Sequence, residues 1–242
     1  MTALALLLLL AASPDPAEPR RNLVVVELFT SQGCGLCPDA NRLLSELGAQ
    51  EDTLALAFNV SYWDMYGWTD QFARPEFNQR QQDYVDAGPA HRVYTPHFVV
   101  NGAPQTLRFD RGQILGAVRG AEPVALHPSL LRTPDGPQVR LNGPAREQAA
   151  TVWLAAYETG TIERTIEAGS NAGLDMVHFN TVRHLTALPG WSGAEYTVTA
   201  EPAACPDSLS CAVLVQASRG GPILGASRIP AVNREPAHQA GD

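Results

Sequence analysis

The apolar positions of the chain fall into three textures. From Ala3 to Ala12 they run unbroken and include six leucines. From Leu23 to about Arg119 they switch between short apolar runs and helical spacing. Leu23–Phe29 (LVVVELF) is a β-branched run that predicts a buried strand. Pro38–Leu47 places Ala40, Leu43, Leu44 and Leu47 on one helical face, with Gly48 as a stop. Thr53–Val60 predicts a second strand. Pro75–Val85 predicts a helix with proline in its first turn and Gly88 beyond its end. Phe98–Asn101 predicts a third strand, Asn101-Gly102 a hairpin turn, Gln105–Arg108 a short return strand, and Arg111–Arg119 a helix. The order is β-α-β-α-β-β-α.

Beyond Pro123 the apolar runs shorten, and Gly, Pro and Asp clusters separate them. Strands are expected at Val124–Leu131, Gln138–Leu141, Thr151–Tyr157, Ile162–Glu167, Val177–Leu185, Glu195–Thr199, Ala212–Ala217 and Ile223–Ser227. Such spacing suggests an antiparallel sandwich or half-barrel. The expected organisation is a signal segment and linker over 1–19, an α/β domain over 20–122, a β-rich domain over 123–232 and a tail over 233–242.

The leading apolar run, about 10 residues, is too short to span a bilayer. Small residues Ala11, Ala12 and Ser13 follow it, then the Pro- and charge-rich stretch Pro14–Arg21. This is the layout of a secretory signal, and it implies export to a bacterial periplasm or beyond. No Arg or Lys precedes the run, which suggests that the start codon is placed too late. A buried N-terminal helix is the competing reading. No second apolar run is long enough for a membrane span.

Composition narrows the chemistry. The 242 residues carry 25 acidic and 17 basic side chains, a formal net charge of −8, and no lysine. A negative chain without a basic cluster argues against nucleic acid as a partner. Lysine-dependent catalysis is excluded. There is no G-x-S-x-G, no Gly-rich phosphate loop and no dinucleotide fingerprint. His178, Asn180 and Arg183 read as contacts between domains or with solvent.

The four cysteines carry the strongest signal. Cys34-Gly35-Leu36-Cys37 lies between a buried strand and an amphipathic helix. A helix N-terminus stabilises a thiolate at Cys34, and Cys37, one turn on, can close a disulfide with it. A structural disulfide and half of a metal site compete with this redox reading. Cys205 and Cys211, between two expected strands, read as a structural disulfide.

Val93-Tyr94-Thr95-Pro96 stands directly before the third strand. Together with the upstream Cys-x-x-Cys this resembles thioredoxin-like folds, in which a cis-proline faces the dithiol and the preceding backbone pairs with substrate. The resemblance points to Thr95 and Pro96. Glu27-Leu-Phe-Thr-Ser-Gln-Gly-Cys34, Ser61-Tyr-Trp-Asp64, Gly67-Trp68, Arg80-Gln81 and Val93–Pro96 resemble a family of secreted bacterial proteins known as domain of unknown function 1223, as do Asn180–Arg183, Gly190–Gly193 and Cys211–Gln216. That resemblance implies an α/β thioredoxin-like N-terminal domain followed by a β-rich, sandwich-like one, and a redox-active centre that needs no diffusible cofactor and works on a protein thiol or disulfide partner.

Under this reading Cys34 is the nucleophile, Cys37 resolves, and Glu27 takes a proton as the buried acid of related strands, provided a bulge turns it inward, with a strand-end acid in solvent as the alternative. Tyr62, Trp63 and Trp68 line the substrate site, with core packing as the alternative. His97 stands where the family suggests glutamine. It either lowers the Cys34 pKa, joins Cys34 and Cys37 as a copper or zinc ligand, or is pointed away from them by strand alternation. A non-catalytic binding module with a structural Cys34–Cys37 bridge is the remaining alternative.

Overall fold

The computed structural model describes residues 22–104 and 109–232. The expected signal segment, the tail and the return strand at 105–108 lie outside them. The N-terminal half forms the expected succession. Strand β1 is Val24–Thr30, helix α1 Cys37–Gly48, strand β2 Thr53–Asn59, helix α2 Pro75–Ala87, strands β3 His97–Val100 and β4 Ala103–Pro104, and helix α3 Arg111–Gly120. Proline stands in the first turn of α1 and α2, where its missing N–H costs nothing. Asp110 caps α3 by accepting from the Gln113 amide. Asn101 and Gly102, both at positive φ, make the β3–β4 turn.

The C-terminal half supplies β5 Ser129–Thr133, β6 Gly136–Leu141, β7 Ala150–Thr165, β8 Asp175–Trp191, β9 Tyr196–Thr199, β10 Ser210–Gln216 and β11 Ile223–Ile229. The two runs Thr151–Tyr157 and Ile162–Glu167 are one strand, β7, because a register irregularity absorbs the turn-like Glu158–Thr161 segment. The run that begins at Val124 becomes a paired strand only at Ser129.

The expected fold class is corrected. The chain is mostly β. An eight-stranded mixed sheet runs β11-β10-β7-β8-β2-β1-β3-β4, and a three-stranded sheet runs β5-β6-β9. An α/β thioredoxin-like domain followed by a sandwich does not describe it, because strands from both sides of Gly120–Pro123 share the large sheet. The join is β8 running parallel to β2 through Ala57 and Thr181. Short-range pattern registers strands but not which distant strand each one meets.

Alternation along β1 explains why all seven of its residues are buried. Val24, Val26 and Leu28 pack with α1 and α3, through Leu43, Leu44, Ile114 and Val118. Val25 and Phe29 face the other way, toward Phe77 and Tyr84 of α2 and Trp153 and Leu214 of the C-terminal strands. A third core, around Val139, Val152, Trp191 and Val213, joins the small sheet to the large one. No helix among the described residues is long and apolar enough to cross a membrane.

Candidate functional site

Cys34 lies in the loop between β1 and α1, and Cys37 opens α1. Both are free thiols and both are buried, Cys34 with 1% of its surface exposed. Between them Gly35 and Leu36 face solvent, Leu36 with 70% exposure. The Cys37 amide donates to the Cys34 carbonyl at 3.0 Å, closing a turn that brings the two side chains together.

The environment separates the two thiols. Cys34 is lowered from 9.0 to about 7, chiefly by the hydrogen bond from the Cys37 thiol. Burial opposes this, while the Thr95 hydroxyl and the Leu36 and Cys37 amides add to it. Cys37 is raised well above 9.0 by burial and by its neighbour Cys34. Thr30 donates to the Cys37 sulfur and accepts from Asn41 Nδ2 at 2.7 Å.

Thr95 precedes Pro96 across a cis peptide bond. Its hydroxyl accepts from Trp63 Nε1 at 2.7 Å and reaches Cys34. Tyr62 donates to Gln81 Oε1 at 3.1 Å, and burial pushes its phenol upward. Trp68 Nε1 donates to Gln32 Oε1 at 2.9 Å. Tyr62 packs against the main core, Trp63 touches both that core and the cysteine cluster, and Trp68 touches the cysteine cluster. The structure therefore brings Cys34, Cys37, Thr95, Pro96, Tyr62, Trp63 and Trp68 to one end of β1, β2 and β3.

Glu27 and His97 are placed elsewhere. Glu27 is fully buried without any bulge, since β1 keeps an unbroken register with β2 and β3. Both faces of the sheet are covered, so any β1 side chain is inside. Its carboxylate is held by Arg80 Nε at 2.6 Å and by the Tyr84 hydroxyl. Arg80 also lies over the rings of Phe58, Tyr84 and Trp153. The groups that act most on Cys37 are Cys34, Thr30 and Ser31. Glu27 thus has a guanidinium partner and belongs to a core ion pair, not to the dithiol.

His97 is buried against Phe29 and Tyr94, and its Nδ1 faces Gln81 Nε2 at 3.3 Å. Burial lowers it to about 4, so it is neutral and not the imidazolium that would draw down Cys34. Among the described residues no three His, Cys, Asp or Glu side chains form a group that could hold a metal ion. The reading that makes His97 a ligand beside Cys34 and Cys37 is not brought together. Cys205 and Cys211 are disulfide-bonded, within the core beneath the small sheet.

Sequence reasoning missed the contribution of the C-terminal half. Ile166 and Met176 pack on Cys34 and Cys37. Asn171 Nδ2 donates to the carbonyls of Gln32 and Cys34, at 2.7 and 3.0 Å. His178 is buried and makes the first of its two expected contacts, between the halves of the chain, not with solvent. Its Nε2 lies 3.2 Å from Gln32 Nε2, its ring meets Phe72 edge to face, and burial first and Arg164 second lower it to about 4. Asn180 donates to the Ala55 carbonyl at 2.9 Å, tying β8 to β2. Gln32 stood inside a resembling motif. Nothing local marked Asn171.

The family model described as "Protein of unknown function (DUF1223)" matches residues 25–216. A crystal structure of an Agrobacterium tumefaciens protein, determined as a structural-genomics target, is similar over 92% of this chain and 100% of that one, with a TM-score of 0.71 and 26% sequence identity. No curated protein matches the chain.

Proposed function

The chain belongs to the DUF1223 family of proteins of unknown function, and from that premise we propose that it is an exported thiol-disulfide oxidoreductase that works on protein disulfides through Cys34 and Cys37. One observation carries the reading: two free thiols meet at the start of α1 beside the cis Thr95–Pro96 bond, where the Cys37 thiol and the Thr95 hydroxyl both donate to Cys34 and lower it, while burial raises Cys37. Near neutral pH that leaves one thiolate to attack and one thiol to wait.

The electrons balance as follows. The Cys34 thiolate attacks a substrate disulfide, forming one S–S bond and breaking another. The leaving thiolate takes a proton from solvent. Cys37 then loses its proton and attacks Cys34, giving the Cys34–Cys37 disulfide and a second substrate thiol. Two electrons pass to the substrate, and a partner protein's dithiol returns them. No diffusible cofactor enters. Trp63 and Thr95 fix the Cys34 side of this step, because the indole N–H leaves the Thr95 hydroxyl free to donate to sulfur. The leading apolar run supports export to the periplasm or beyond.

The test is titration and trapping. Thiolate absorbance should rise with pH around a midpoint near 7. Thr95→Val should move that midpoint up by about half a unit or more. Cys37→Ser should accumulate a mixed disulfide with a model protein disulfide, and Cys34→Ser should not. A Cys34 midpoint of 8.5 or above, with a dithiol potential below about −300 mV, would sink the reading.

A further inference from the structure

We propose that the tip of the β7–β8 hairpin, residues 166–174, occupies the place of the substrate on the dithiol, and that Asn171 is the positioning residue that holds it there. The inference rests on the redox reading of Cys34 and Cys37 and names what that site admits.

The tip is a built turn. Ile166 and Leu174 pair at 2.9 Å, the Gly173 amide donates to the Ile166 carbonyl at 2.7 Å, and the Leu174 amide donates to the Asn171 carbonyl at 3.0 Å. At its base Thr165 Oγ1 donates to Asp175 Oδ1 at 2.6 Å. From this turn three side chains reach the cysteine loop. Ile166 packs on the cysteines. Ser170 lies 3.8 Å from where a Cβ on Gly35 would be. Asn171 spans the gap with its amide, donating to the carbonyls of Gln32 and Cys34. Gly169, at φ +77°, lets the tip approach Trp68, since a Cβ there would stand 3.2 Å from the Trp68 Cβ.

Together with Trp63, Trp68 and Met176, the tip leaves Cys34 1% exposed, although Leu36, two residues on, is 70% exposed. A disulfide cannot meet a sulfur so covered unless part of that cover moves, and the tip is the part that one side chain, Asn171, ties to the cysteine loop by two hydrogen bonds. The two carbonyls that Asn171 occupies flank the nucleophile, and they are acceptors that the backbone N–H groups of a bound chain would use. Asn171 therefore stands in for a peptide. The substrate class follows: an extended polypeptide segment bearing a disulfide, which displaces the tip by taking over its hydrogen bonds. A compact disulfide with no adjacent free N–H groups has nothing to exchange for them.

Access can be read without turnover. Reduced full-length protein is treated with iodoacetamide, and modification of Cys34 is followed by peptide mass. The wild type should react at least tenfold more slowly than a cysteine peptide at the same thiolate fraction. Asn171→Ala should raise the rate at least tenfold, with the Cys34 titration midpoint moved by less than about half a unit and cooperative unfolding kept. Ser170→Ala, which keeps the Cβ that faces Gly35 and loses only the hydroxyl, should leave the rate within twofold. A wild-type rate equal to that of the peptide overturns the proposal, and that comparison needs no variant. So does a folded Asn171→Ala protein that reacts within twofold of wild type. The redox reading fails separately, on the Cys37→Ser trap, which reads chemistry after access has been gained.

Discussion

Arg80 and Glu27 show how much one residue's role depends on what the fold sets beside it. Glu27 is a strand acid in sequence, and in isolation it suggests a proton acceptor. In the structure its carboxylate is fully buried and neutralised by a guanidinium that is itself 2% exposed. Arg80 then spends its remaining donors on Tyr84 and Gln216, at 3.3 and 3.5 Å. Breaking such a pair from one side strands a charge in the core, which costs more than the pair contributes. Arg80→Met should destabilise the protein by about 3–5 kcal/mol, read from urea denaturation midpoints. Glu27→Gln with Arg80→Met should recover much of that loss, because the stranded carboxylate is gone. A single variant no worse than the double would contradict the ion-pair account. The sequence showed the acid and the Arg80-Gln81 motif, but 53 positions separate the partners, and no local pattern pairs them.

At the scale of elements, the β3–β4 hairpin was legible and its surroundings were not. Asn101-Gly102 announces a tight turn, and both residues take positive φ, 46° and 82°. What the dipeptide does not announce is that the turn docks on the start of β11. The Ile223 amide donates to the Asn101 carbonyl at 2.9 Å. A Cβ on Gly102 would stand 2.4 Å from the Gly221 carbonyl oxygen and 2.7 Å from the Ile223 nitrogen. Gly160, at φ +83°, has nothing within 4 Å of such a Cβ. Gly160→Ala should therefore cost only the backbone penalty, about 1 kcal/mol. Gly102→Ala should cost about 2–4 kcal/mol, since backbone must also move. Equal thermal shifts for the two would show that the docking contributes nothing. The β7–β8 hairpin teaches the same lesson in reverse. The pattern marks β7 as two runs and β8 as one shorter run, and the turn between them gives no sign that it lies on Cys34.

For the molecule as a whole, two histidines link the halves to pH. His97 of β3 and His178 of β8 are both held near 4 by burial, against an ordinary 6.5. The unfolded chain binds their protons first as pH falls. Their contribution is therefore complete above pH 6.5 and is lost progressively toward pH 4, on the order of 3 kcal/mol for each. Asp70, whose carboxyl is pushed up mainly by burial, works in the opposite sense. Denaturation midpoints should fall between pH 7 and pH 4.5, and His178→Gln should flatten that fall. A wild-type midpoint independent of pH over this window would overturn the assignment of both as buried neutral groups.

The sequence alone determined what depends on neighbours within a turn or two. That includes the alternation of β1, the apolar face of α1, the Asn101-Gly102 turn, the Cys-x-x-Cys between strand and helix, and the family that these motifs resemble. Each is set by backbone sterics and by periods of two or about three and a half residues. Only the tertiary structure decided that the two halves share one sheet, since strand pairing across more than a hundred residues leaves no period to read. It also decided that Glu27 answers to Arg80, that His97 is neutral, and that Asn171 sits on the Cys34 loop. Those outcomes depend on which polar group lies beside which in a water-poor interior, where burial and one partner fix both charge and access. The four cysteines were visible from the start. That the turn between β7 and β8 packs on Cys34 came from the fold.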